Sequence, residues 1–221
     1  MYSRNDMSNG DEYDAVESQA SGGAMHGPYF GSDMDYHIIN YKKSPYVIYD
    51  KFFHSTLCDK LEQVAEQFPY QKFNNGKSRF EYISLNKNLE RKDLRWIKRP
   101  LTELVEDANN TNFMIDINSV EFFNLFKFEI GDKWAWHHDC DWFFNGLAFD
   151  KKITVIVELS DPEDYEGGEY GEYMSTIPFP KQHLGRGSVL IIPAYYYYNI
   201  SDILTGTRKM LIANAIGPKF K

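Results

Sequence analysis

Cysteine is nearly missing from this 221-residue chain, with Cys58 and Cys140 the whole complement. That excludes a disulfide framework and a cysteine-based zinc site, and it fits a reducing compartment. Long apolar runs are missing as well. No stretch approaches the ~20 apolar residues that span a bilayer, and the first residues lack a basic-then-apolar signal pattern. The expectation is a soluble cytoplasmic protein with no membrane partner, or one held in a larger particle assembled in the cytoplasm. Basic charge is the third shortage. A net charge of −8 leaves no basic stripe to neutralise phosphates, which argues against a nucleic-acid partner.

What the chain does have is acid in one place and aromatic side chains throughout. Residues 1–35 carry Arg4 against Asp6, Asp11, Glu12, Asp14, Glu17, Asp33 and Asp35, so they hold −6 of the −8. Rich in Ser, Gly and Asn and without apolar period, this segment cannot repay its own ordering entropy. It is expected to be a flexible acidic arm, free or ordered against a partner. Residues 36–221 then form one domain of nearly neutral charge. With 16 Tyr and 16 Phe, its core should be β-rich.

Along that domain, Tyr46–Tyr49 reads as a short strand. Ser55 and Thr56 read as caps of a helix whose apolar positions are Leu57, Leu61, Val64, Ala65 and Phe68. Phe80–Leu85 is another strand, and Pro100 fits the first position of a helix burying Leu101, Leu104, Val105 and Ala108. The second half reads as β throughout. Alternation over Val120–Phe128 places Val120, Phe122, Phe126 and Phe128 on one face. Ile153–Leu159, Gly187–Pro193 and Lys209–Ala215 are further strands. No internal repeat is visible, and short strands at fairly regular spacing suggest a sandwich or jelly roll.

The chemistry concentrates in Trp134-Ala-Trp-His-His-Asp-Cys-Asp-Trp142. His137 and Asp139, two apart on an extended segment, put an imidazole and a carboxylate on one face. Such a pair also occurs on surfaces and around hydrogen-bonded core histidines. It is two-thirds of the two-histidine, one-carboxylate set with which non-heme Fe(II) oxygenases bind iron. A zinc hydrolase lacks any further ligand at suitable spacing, and Cys140 beside His138 lacks a third partner for nucleophilic catalysis.

Five pieces in order complete the picture: Phe128-Glu-Ile-Gly131, Trp136-His-His-Asp139, Leu159–Glu169 with its Gly-Gly-Glu turn, Gly187–Pro193, and Gly206-Thr-Arg208. From about Tyr46 to Gly217 this order resembles the Fe(II)- and 2-oxoglutarate-dependent dioxygenases, in particular the prolyl-4-hydroxylase-like branch. The resemblance implies a mainly β chain with flanking helices (α+β), a double-stranded β-helix or jelly roll with N-terminal helices packed on one sheet. It also implies Fe(II) and 2-oxoglutarate as cofactors, with His137 and Asp139 on iron and Arg208 gripping the distal carboxylate of 2-oxoglutarate. A planar guanidinium can make that grip with two parallel hydrogen bonds; the plainer reading of Arg208 is a surface salt bridge.

Two departures stand out. The family's third ligand, a histidine five residues after the Pro193 position and ten before the clamp arginine, falls on Tyr198. Phe128 stands where relatives commonly carry a tyrosine that contacts the co-substrate. Tyr198 as a phenolate, His138 swung inward or His183 from the preceding loop are the candidate substitutes, although strand parity points His138 away from the pair. Otherwise Tyr195–Tyr198 are half-buried residues filling a former pocket, their hydroxyls turned to water or backbone. Two functions follow. One is a hydroxylase of a peptidyl or small-molecule substrate. The other is a noncatalytic jelly-roll module that binds protein partners in a larger assembly, such as a phage particle, docking through residues 1–35.

Overall fold

The unbroken β-branched run at Ile153–Leu159 becomes the middle of a large sheet, covered on both faces as its composition requires. The computed structural model describes residues 44–90, 92–140, 146–172 and 184–220; the acidic arm at 1–35 and His183 lie outside them. In chain order the strands are β1 (Val47–Tyr49), β2 (Gln71–Asn74), β3 (Arg79–Ser84), β4 (Ser119–Phe128), β5 (Trp134–His137) and β6 (Phe149–Glu158). There follow β7 (Tyr165–Gly167), β8 (Tyr170–Glu172), β9 (Val189–Pro193), β10 (Tyr198–Ile200), β11 (Ile203–Gly206) and β12 (Arg208–Pro218). The helices are α1 (Ser55–Ala65), the one-turn α2 (Leu85–Asn88) and α3 (Arg95–Ala108).

Seven strands form the large antiparallel sheet in the order β1-β9-β6-β12-β4-β3-β2. Facing it are a three-stranded sheet, β5-β10-β8, and the ribbon β11-β7. This is the expected jelly roll, with helices on one side. Strand alternation sorts the side chains into two cores. On the outer face Val155, Val157, Leu211 and Ala213 pack with Leu61 of α1 and Ile97, Leu101 and Val105 of α3. On the inner face Ile156, Leu190, Ile192 and Met210 meet Tyr198, Ile200 and Ile203 from the small sheets. Each fully buried aliphatic side chain contributes roughly 1.5–3 kcal/mol. Among the described residues no helix is long and apolar enough to cross a membrane.

Three local expectations need correction. Helix α1 is capped by His54 and not by Ser55 or Thr56: His54 is extended, and its Nδ1 accepts from the Thr56 amide at 3.3 Å. Pro100 does not open α3 but lies inside it, five residues after Arg95. An interior proline costs about 3 kcal/mol, offset here because the preceding turn buries Leu94 and Ile97 in the helix-side core. Finally, Val120 does not share a face with Phe126 and Phe128. The register with β12 slips where Ile212 opposes Asn124 and Asn214 opposes Glu121, and Phe122 has φ +58°. This bulge reverses parity. Val120, Phe123 and Leu125 therefore join the helix side, while Phe126 and Phe128 face the small sheets.

Candidate functional site

Between the sheets, β5 and β10 pair so that His137 lies directly opposite Tyr198. The two rings are 4.4 Å apart, and His137 also stacks on Trp134 at 4.2 Å with an interplanar angle of 11°. His137 Nδ1 lies 2.8 Å from the Ala135 carbonyl. A carbonyl only accepts, so Nδ1 carries the proton and Nε2 presents its lone pair inward. Burial lowers the His137 pKa against the opposing pull of Asp139, which keeps the imidazole neutral. Nε2 is buried and makes no hydrogen bond; its closest charged neighbour is Asp139 Oδ1 at 3.9 Å.

Asp139 follows the end of β5, and its amide donates to the Ala194 carbonyl at 2.9 Å. Its Oδ2 accepts two hydroxyls, from Thr154 at 2.6 Å and from Tyr198 at 3.3 Å. Tyr198 is almost fully buried. Burial first, and the adjacent Asp139 second, push its pKa well above the ordinary phenol value. It is therefore a proton donor to the carboxylate. The tyrosine run alternates, with Tyr196 and Tyr198 buried and Tyr195 and Tyr197 exposed. The Tyr198 hydroxyl thus turns neither to water nor to backbone but to Asp139. Trp136 and His138 point outward as parity requires, Trp136 stacking on Tyr197 at 5.6 Å. Among the described residues no three His, Cys, Asp or Glu side chains are grouped to hold a metal ion.

The other end of the site holds Arg208, 1% exposed at the start of β12. It is not the surface salt bridge that one reading of the sequence allows. Its Nη2 donates to Glu158 Oε1 at 2.5 Å and its Nε to Glu158 Oε2 at 3.3 Å. Nη1 donates to the carbonyl of Gly168, which the Gly-Gly-Glu turn delivers. The Tyr170 hydroxyl adds a 2.7 Å bond to Glu158 Oε1. The Tyr170 and Tyr165 rings lie 4.5 and 5.5 Å from the guanidinium carbon, within cation–π range. Burial pushes the Tyr165 phenol up to about 12, against the pull of Arg208. Phe128 sits opposite Arg208 in the β4–β12 register and packs against Phe80 at 5.6 Å.

The site therefore brings together His137, Asp139 and Tyr198 at one end and Arg208 and Phe128 at the other. Sequence reasoning misses Glu158, Thr154 and Tyr170. The first two could have been found by parity: Thr154, Ile156 and Glu158 alternate along β6, and a single acid in a β-branched run demands a partner.

Comparison with solved structures settles the architecture. A collagen prolyl hydroxylase from Paramecium bursaria Chlorella virus-1, in complex with 2-oxoglutarate, superposes with a TM-score of 0.60 at 16% identity, over 82% of this chain and 99% of that one. The fold is that of the 2-oxoglutarate–Fe(II) oxygenases. A member of that oxygenase family from Burkholderia pseudomallei gives a TM-score of 0.61 at 13% identity, covering 78% of this chain and 85% of that chain. A Trichoplax adhaerens prolyl hydroxylase, solved with a peptide fragment of the hypoxia inducible factor oxygen degradation domain, gives 0.61 at 12%, with 78% and 84% covered. No family model and no curated protein sequence matches the chain. The oxygenase fold is thus carried by a sequence only 12–16% identical to these neighbours.

Proposed function

We propose that this chain is a noncatalytic module built on the oxygenase fold, serving in binding or assembly and not in hydroxylation. The observation that carries the reading is the hydrogen bond from Tyr198 to Asp139. The two-histidine, one-carboxylate set that the sequence resemblance implies would need its third donor where Tyr198 stands, and a phenol that must first lose its proton is a poor one. Instead of offering a lone pair, Tyr198 gives its hydrogen to the carboxylate that would be a ligand. The remaining donors, His137 Nε2 and Asp139 Oδ1, 3.9 Å apart, supply two of the three ligands the two-histidine, one-carboxylate set requires. At the far end, Arg208 spends its bidentate face on Glu158. The residues present do not fit the iron–co-substrate pair, and no reaction step is derived through it.

The test is direct. Purified protein supplied with Fe(II), 2-oxoglutarate and ascorbate is expected to form no succinate above the metal-free control and to retain less than one iron per chain. Stoichiometric iron with succinate release would overturn the reading. Tyr198→His should raise Co(II) affinity by about tenfold or more by restoring a neutral imidazole. An unchanged affinity would mean that His137 and Asp139 are not placed to share an ion.

For the partner, the charge distribution favours the arm, since residues 1–35 hold −6 of the −8 and present a concentrated acidic segment to a basic protein surface. Deleting 1–35 is expected to leave the thermal midpoint of the domain unchanged and to remove the protein's cross-links to its partner in the cells that make it. Cross-links that survive the deletion would rule the arm out.

A further inference from the structure

We propose that the Arg208 site is a carboxylate-binding site filled by the chain's own Glu158, an internal stand-in for the carboxylate of a small organic acid. The inference deepens the noncatalytic reading and rests on it for the identity of the ligand replaced. Every polar group of the site is built around one carboxylate. Glu158 is fully buried, and its two oxygens receive three hydrogen bonds: Arg208 Nη2 and the Tyr170 hydroxyl on Oε1, and Arg208 Nε on Oε2. Two near-parallel donors from one guanidinium are the geometry with which arginine recognises a bound carboxylate. The Gly168 carbonyl takes a third donor of Arg208, and the Tyr165 and Tyr170 rings flank the guanidinium. Each feature would serve a diffusible anion equally well.

The backbone explains why the ligand is Glu158 and no outside acid. Residue 158 ends β6, with Met210 opposite it on β12, two residues beyond Arg208. The inward parity shared with Thr154 and Ile156 aims its side chain at the guanidinium. Its position is held on the other edge as well: the Glu158 amide donates to the Ser188 carbonyl at 3.0 Å and its carbonyl accepts from the Gly187 amide at 2.8 Å. An anchored side chain competes at a far higher effective concentration than a metabolite in solution. Entry of a second carboxylate would also place an uncompensated negative charge in a buried site that is already neutral. The clamp is therefore closed to free 2-oxoglutarate by the chain itself.

Glu158→Ala tests this, because acetate replaces the atoms the substitution removes. The thermal midpoint of the metal-free variant is expected to rise saturably by about 3 °C in acetate relative to chloride at equal ionic strength. Wild type and Glu158→Ala/Arg208→Met should show no such difference. If Glu158→Ala fails to fold in chloride, its refolding yield in acetate against chloride is the readout, with the same expectation. Absence of an acetate-specific gain, or an equal gain in the double variant, overturns the proposal. Rescue is read without iron and without turnover, so its failure is distinguishable from succinate formation by the wild type, which would overturn the noncatalytic reading instead.

Discussion

Replacing Arg208 with methionine is expected to destabilise the folded chain by about 3–5 kcal/mol, the range found when one partner of a buried ion pair is removed. The cost arises from what is left behind. Glu158 is fully buried, and without the guanidinium its carboxylate keeps only the Tyr170 hydroxyl. An unpaired charge in a low-dielectric interior lowers stability. Glu158→Leu combined with Arg208→Met should return to within about 1 kcal/mol of wild type, because an apolar pair of similar volume removes the desolvation penalty together with the attraction. Urea unfolding of wild type, Arg208→Met, Glu158→Leu and the double variant measures this as a shift in midpoint at constant slope. Losses that simply add, leaving the double variant worse than either single one, would mean that the two side chains do not function as a pair. Lys209→Met is the internal control. Lys209 bridges Glu62 and Glu66 from a half-buried position, and removing this partly hydrated pair should cost clearly less than removing the fully buried Arg208.

Much of this site is legible in the amino-acid sequence, and the remainder escapes it for identifiable physical reasons. His137 and Asp139 are readable because period two on an extended segment is a local rule. The outward direction of His138 follows from the same rule. Tyr198 is reached by counting from Pro193 and Arg208, and the pairing of β5 with β10 does put it opposite His137. Glu158 escapes because its partner lies 50 residues away and belongs to a strand whose register no local pattern declares. Tyr170 comes from the facing sheet, so nothing nearby in the chain announces it. The misplaced face of Val120 has another cause. A bulge built on a non-glycine residue, Phe122, carries no turn signature, yet one extra residue reverses the parity of everything before it. Pro100 shows tertiary burial of Ile97 overriding a sound local preference for the first helical position. Local rules give the elements and half of the chemistry. The half that decides function is nonlocal.

Gly187→Ala is expected to cost about 3–5 kcal/mol, with a lower urea midpoint and no loss of secondary structure content in the population that remains folded. Gly187 has φ +85°, and a Cβ there would lie 2.0 Å from the Phe53 carbonyl oxygen and 3.1 Å from its carbon. The left-handed conformation alone costs an alanine about 1–2 kcal/mol. The rest comes from a clash with backbone, which has no flexible end to move aside. That backbone is also committed, since Phe53 N donates to the Gly187 carbonyl at 2.9 Å while Gly187 N donates to the Glu158 carbonyl at 2.8 Å. A shift at residue 187 therefore pulls on the entry to α1 and on the strand end that holds Glu158 against Arg208. Gly76→Ala separates the two contributions. Gly76 has φ +81° but nothing within 4 Å of its added Cβ, so it should cost only the conformational 1–2 kcal/mol, roughly. Equal losses at the two positions would show that close approach at Gly187 carries no energy and that backbone conformation accounts for both. A larger loss at Gly187 would assign the difference to the close approach of residue 187 to the Phe53 carbonyl.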